Sequence, residues 1–274
     1  MWGRQPQAPA AHAPGIGARI TTAGRQLFGH ALFFCGVVGF GALCLGWSLI
    51  ASALSRLLPR RSGERVGQFA IMAGFRGFLS AMQTIGLFRC DLDALDALRD
   101  AGGLVVAPNH PSLLDAVVVI SRLPRVVCIT KASLWDNLFL GGGVRMAGYI
   151  RNNAPLNLVR QAVKCLAEGH QLLVFPEGTR TAVPPADRFK GGFLLMARQA
   201  GVPVQIVYLD YNSGYLGKGW RLFRKPPLPV VVRARLGRRI MVPADLHGCV
   251  ADLEREYRRE LAPAEATAPG RAPA

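Results

Sequence analysis

The sequence predicts an α/β fold: a mainly parallel sheet flanked by helices, preceded by an N-terminal membrane-anchoring helical segment. Three observations predict it. From Phe88 onward, apolar runs of strand length alternate with segments of helical period. Two of those runs end in polar, proline-bearing elbows, and the carboxyl ends of parallel strands are where α/β sheets collect ligands. Upstream, residues 31–54 form a 24-residue stretch without a formal charge, long enough for the ~20 residues that cross hydrocarbon.

In chain order, residues 1–26 are expected to be disordered, being rich in Ala, Pro and Gly without apolar period. Residues 27–87 are expected to carry the anchor. Arg56, Arg60 and Arg61 follow the uncharged stretch more densely than Arg25 precedes it, which places the C-terminal side in the cytoplasm. A re-entrant helix competes with a spanning one, since glycines interrupt the run; Ala51-Ser52-Ala53 imitates a signal-peptide cleavage site, but the run is too long for one. Phe69, Met72, Phe75, Phe78, Leu79, Met82 and Ile85 recur near helical spacing, so a second, amphipathic helix lies against the membrane or in a soluble core.

The main domain is expected over 88–261, with strands at 88–92, 104–107, 125–130, 171–175, 204–209 and 230–236. Helices are expected at 111–122, 155–168 and 186–200, and a last one carries the stripe Val250, Leu253, Tyr257 and Leu261. Residues 262–274 read as a disordered tail.

Composition narrows the function. Half the 274 residues are apolar and the formal charge is +16, which suits an anionic membrane surface. No nucleic-acid motif accompanies the charge, so no nucleic acid is expected. The six cysteines form no CxxC pair and no ligand spacing, so reduced thiols are expected; direct transfer by a general base, argued below, calls for neither metal nor cofactor. The stretch from Lys218 through Trp220, Arg221, Leu222, Phe223, Arg224 and Lys225 interleaves cations with aromatics. It reads as a dock for anionic headgroups or an acidic carrier protein, or as a solvated loop.

The chemistry sits in the elbows. His110 follows the run ending at Ala107, and Pro111 pushes it out of the α region while suiting the first helical position. Five residues separate His110 from Asp115, ~140° apart on one ideal helix. They meet only if His110 stands before the helix and Asp115 points back across its first turn. An imidazole oriented by a carboxylate is a general base, and no Ser or Cys nucleophile is needed if the substrate brings its own hydroxyl. The second elbow is Phe175-Pro176-Glu177-Gly178-Thr179-Arg180. There Glu177 and Arg180 can hold polar or phosphate groups, and Gly178 lets backbone N–H groups approach an anion. Phe189-Lys190-Gly191-Gly192 leads into the next helix, where Lys190 can bind an anion.

His110-x4-Asp115 followed by Phe175-Pro176-Glu177-Gly178-Thr179-Arg180 resembles the glycerolipid (lysophospholipid) acyltransferase family, whose archetype is 1-acylglycerol-3-phosphate acyltransferase. The resemblance implies transfer of a fatty acyl group from acyl-CoA or acyl carrier protein to a lipid acceptor of the lysophosphatidic acid type, at the cytoplasmic face of the inner membrane. It implies His110 as base and Asp115 as its orienter, with Glu177, Gly178, Thr179 and Arg180 in the acceptor or phosphate site. Its second motif is matched by Lys131, Leu134, Gly141, Gly148 and Ile150, which adds Lys131 and Arg151 as substrate-binding positions. Asn137 stands where the motif has proline, and Arg151 directly follows Ile150 with no acid between. In the fourth motif Ile206 replaces a proline. Two alternatives stay open here: the same chemistry on a lysophospholipid, an aminolipid or a specialised polyene or fatty-acid product, and a non-catalytic membrane adaptor.

Overall fold

A computed structural model of the chain describes residues 16–221 and 224–262. The expectations for 1–15 and 263–274, and for Leu222 and Phe223 in the basic stretch, lie outside the described residues. Two units divide at Gly39 and Phe40.

Helix α1 runs Ile16–Leu57, so helix begins eleven residues earlier than the expected anchor boundary. Within it Gly29–Leu57 has a mean hydropathy of 2.0 and is long and apolar enough to cross a membrane. Pro59 stops it, and α2 (Arg60–Thr84) follows. The part of α1 after Phe40 packs on the main domain through a glycine seam. Gly142 N–H donates to Ser48 Oγ at 2.9 Å, and a Cβ on Gly142 would stand 2.1 Å from the Ser48 carbonyl oxygen. Only glycine permits that approach.

The remaining chain alternates as expected: β1 (Phe88–Asp91), β2 (Leu104–Pro108), α3 (Leu114–Ile120), β3 (Val126–Lys131), α4 (Ala132–Trp135), α5 (Gly141–Met146), β4 (Ile150–Asn152), α6 (Pro155–Ala167), β5 (Gln171–Leu173), α7 (Gly192–Ala200), β6 (Val204–Tyr211), β7 (Val230–Ile240) and α8 (Leu246–Glu260). A short 3-10 helix, Asp93–Leu98, links β1 to β2. All six expected strands are present. Unforeseen were α4, α5 and β4, whose glycine-rich or very short sequences give little period to read.

The sheet order is β1-β7-β6-β2-β5-β3-β4. Every neighbouring pair is parallel except β6 with β7, so the sheet is mixed but mostly parallel. β2 is central and buried at every position, as a strand covered on both faces must be. Tyr257 of α8 donates its hydroxyl to the Ala107 carbonyl, pinning a helix to the end of that strand. Strands β2 to β6 all point their carboxyl ends to one edge. That edge gathers the elbow after β2, Lys131, Arg151, the turn after β5 and Tyr211.

Candidate active site

Local structure explains how His110 comes to face outward. At the end of β2 the ladder to β6 pairs Pro108 with Val207. One step further, the Asn109 side chain replaces the backbone: its Nδ2 donates to Leu209 O at 2.9 Å and its Oδ1 accepts from Leu209 N at 2.7 Å. The main chain is thereby released to turn at His110. Helix α3 starts at Leu114, three residues later than the expected position of Pro111. Residues 111–113 form a turn instead, because Ser112 and Asp115 cap the helix reciprocally. Ser112 Oγ accepts from Leu114 N at 3.1 Å, and Asp115 Oδ2 accepts from Ser112 N at 2.8 Å, in the manner of a capping box. This is what turns Asp115 back across the first turn.

His110 Nδ1 lies 2.8 Å from Asp115 Oδ2. The carboxylate accepts from Nδ1–H, which leaves the Nε2 lone pair for other work. The imidazole stacks on Phe175, ring centroids 3.8 Å apart and 14° from parallel, and keeps 15% of its side-chain surface exposed while Asp115 keeps none. Burial pushes the Asp115 carboxyl above the usual carboxylate range; the His110 hydrogen bond and charge, the Ser112 N–H and the Tyr211 hydroxyl oppose that.

The second elbow clamps the first. Glu177 Oε1 accepts from His110 N and from Thr181 Oγ1, both at 2.9 Å, and Oε2 accepts from Asp187 N at 3.0 Å. Thr181 N donates to His110 O at 2.8 Å. With 2% of its surface exposed, Glu177 has both oxygens engaged within the chain. Arg180 Nη1 donates to the carbonyls of Leu216 and Gly217, at 3.0 and 2.8 Å. The loop it holds also touches the first elbow, where Leu113 N donates to Leu216 O and Ser112 Oγ to Tyr215 O. Gly178 has φ +68, and a Cβ there would meet Lys190 Cδ at 2.9 Å. The Lys190 side chain therefore crosses the turn, exposed, over Gly178, and Thr179 is exposed in the same turn.

Residues 186–191 are a loop, not the expected start of α7. The N–H groups of Asp187, Lys190 and Phe189 are taken by Glu177, Pro176 O and Glu254, and Gly191-Gly192 lowers helix propensity. Lys131 and Arg151 stand farther off. In the order β2-β5-β3-β4 they lie two and three strands from His110, roughly 10 and 14 Å at the ordinary strand spacing. Lys131 is exposed, and Arg151 Nη2 reaches Asp136 Oδ2 at 3.4 Å. No cluster of three or more His, Cys, Asp or Glu that could hold a metal occurs among the described residues.

Residues 89–210 match a family model described as Acyltransferase. Human 1-acyl-sn-glycerol-3-phosphate acyltransferase beta is 31% identical over 201 residues, 69% of this chain and 69% of its own length. The chain belongs to the acyltransferase family. The acyltransferase is also 23% identical to the 1-acyl-sn-glycerol-3-phosphate acyltransferase of Pseudomonas aeruginosa, over 64% of this chain and 68% of that one. A solved structure of the 1-acyl-sn-glycerophosphate acyltransferase PlsC from Thermotoga maritima resembles it with a TM-score of 0.65 at 19% identity, covering 90% of this chain and 98% of the other. At that identity the likeness speaks for the fold. Both of these relatives are named as 1-acyl-sn-glycerol-3-phosphate acyltransferases.

Sequence reasoning passed over four parts of the acyltransferase's site. Ser112-x-x-Asp115 was legible as a capping box. Asn109 and Phe175 were inside the quoted motifs without a role. Tyr211, whose hydroxyl donates to Asp115 Oδ1 at 2.7 Å, has no sequence signal, because its place depends on β6 outrunning β2.

Proposed function

We propose that this protein is a membrane-bound O-acyltransferase that moves a fatty acyl group from acyl-CoA or acyl carrier protein to the hydroxyl of a lysophosphatidic acid-type acceptor. The observation that carries the reading is the 2.8 Å contact of His110 Nδ1 with a fully buried Asp115. His110 Nε2 takes the proton of the acceptor hydroxyl, the freed oxygen attacks the thioester carbonyl, and the tetrahedral intermediate collapses with the thiol as leaving group. Protonated imidazole is stabilised by Asp115 and returns its proton to the thiolate. A positioned base of this kind contributes ~10² to 10⁴-fold. No acyl-enzyme intervenes.

Glu177 in this reading fixes the elbow and does not touch substrate. Gly178, Thr179 and Lys190 face the reacting groups, with the Lys190 ammonium favouring an anion there. Lys131 and Arg151 lie far enough along the sheet edge to meet the acceptor away from its reacting hydroxyl. The segment Gly29–Leu57 attaches the enzyme to the inner membrane, with the catalytic domain on the cytoplasmic side, following the arginines after it. One observation favours a second acceptor class: Arg151 leans toward Asp136 within the chain, which suits a lysophospholipid or aminolipid acceptor that asks less of that arginine.

The test is acyl transfer by membranes holding the wild-type chain or His110→Ala, offered both thioester donors and a panel of lysolipids, read by mass spectrometry. Phosphatidic acid formed only with wild type is the expected result. A different His110-dependent lipid moves the acceptor to the second class. Equal product from His110→Ala would remove His110 as the base.

A further inference from the structure

The order of the sheet puts β6 directly beside β2, and the ladder between them ends at Pro108 and Val207. Strand β6 continues to Tyr211. Asn109 carries the pairing as far as Leu209, and two residues on, on the same face by the period of a strand, the Tyr211 hydroxyl reaches Asp115 Oδ1 at 2.7 Å. Asp115 thus receives three donors: His110 Nδ1 and Ser112 N on Oδ2, and Tyr211 alone on Oδ1. The carboxylate is fully buried, so no solvent can replace any of them.

We infer that Tyr211 is a positioning residue for the reaction, holding the Asp115 carboxylate in the plane and charge state that make His110 a base. The inference rests on His110 acting as that base. Without the Tyr211 hydroxyl, Oδ1 is a buried, unpartnered anionic oxygen, and the pair Asp115–His110 binds a proton more readily whichever member carries it. The other titratable groups facing this point are His110 itself at the elbow, Cys90 on β1, near Tyr211, and Glu177, which reaches the pair only through the His110 N–H. Burial raises the Cys90 thiol to about 11, so it stays neutral and a change in the acid limb of activity belongs to the pair.

The experiment is a double-mutant cycle with pH profiles: wild type, Tyr211→Phe, Asp115→Asn and the combination, alongside His110→Ala. Tyr211→Phe should lower kcat roughly tenfold with little change in KM, and move the acid limb of kcat/KM upward by about half to one pH unit. In the Asp115→Asn background the same change should cost almost nothing, because Tyr211 acts through Asp115. A difluorotyrosine placed at 211 keeps the shape and is a stronger donor, so it should move the acid limb downward even if Tyr211→Phe folds poorly. An unmoved acid limb in both 211 variants, or an undiminished Tyr211→Phe effect in the Asp115→Asn background, overturns Tyr211 as a positioning residue while inactive His110→Ala leaves the base in place. Active His110→Ala overturns the base and the role of Tyr211 with it.

Discussion

Asp115 shows what a buried carboxylate costs and why it is kept. Its ionised form is disfavoured by burial, so its folded pKa lies above the unfolded one. A carboxyl shifted upward contributes stability that is lost as pH rises from about 4 through the folded pKa. Asparagine removes that loss and still fits: its Oδ1 can accept from His110 and Ser112, and its amide can donate to Tyr211, whose hydroxyl then accepts. Asp115→Asn should therefore melt no lower than wild type at neutral pH, with its advantage shrinking toward acid, while kcat falls by about 10² to 10⁴-fold. A melting series across pH beside an activity assay checks both. The cysteines make the complementary point. Burial pushes the thiols of Cys128 and Cys165 up to about 12, so they are inert at neutral pH and turnover should survive N-ethylmaleimide. Inactivation in step with labelling of either cysteine would contradict a mechanism that needs no thiol.

At the scale of elements, the sequence was legible wherever burial imposes a period. The strands around β2, the helix α6 with Pro155 at its start, and the stripe from Val250 through Leu253 and Tyr257 to Leu261 were all legible in the sequence. What escaped was set by contacts between distant segments: α3 is shortened by the Ser112–Asp115 cap, α7 by backbone donors committed to Glu177 and Glu254, and β4 exists only because β3 offers it a ladder. The same division runs through the site. His110 and Asp115 could be paired from their spacing, but the bonds of Glu177 to His110 and of Arg180 to Leu216 and Gly217 join segments tens of residues apart. The seam between α1 and α5 is of this kind too. Gly142→Ala would drive a methyl into the Ser48 carbonyl, which costs ~1–3 kcal/mol by overpacking. A lower melting temperature is expected, and an unchanged one would mean that the seam opens freely.

The whole molecule carries +16 at pH 7. Among the described residues no carboxylate pairs with Lys218, Arg221, Arg224 or Lys225, while Arg233, Arg235 and Arg238 each have an acidic partner. The unneutralised cations cluster around Trp220, over whose ring the Arg224 guanidinium sits at 4.8 Å. In the membrane attachment proposed above, electrostatic attraction to an anionic bilayer would add to the apolar helix and be screened over about 8 Å at physiological salt. Flotation with anionic and neutral vesicles should show an anionic preference at low salt that shrinks as salt rises, above a salt-independent residue of binding. Equal binding to both vesicles at low salt would sink the electrostatic part.

The glycine seam also bears on how this enzyme can be handled. Because Gly142, with no side chain of its own, comes directly against Ser48, the second half of the apolar helix is a wall of the domain, whatever anchoring it also provides. A soluble version made by cutting after Leu57 would strip that wall and expose backbone that no polar substitution on the remaining surface can cover. Solubilisation is better sought by recolouring the outward face of residues 40–57, at Leu43, Leu49 and Ile50, which are exposed, than by deleting the helix.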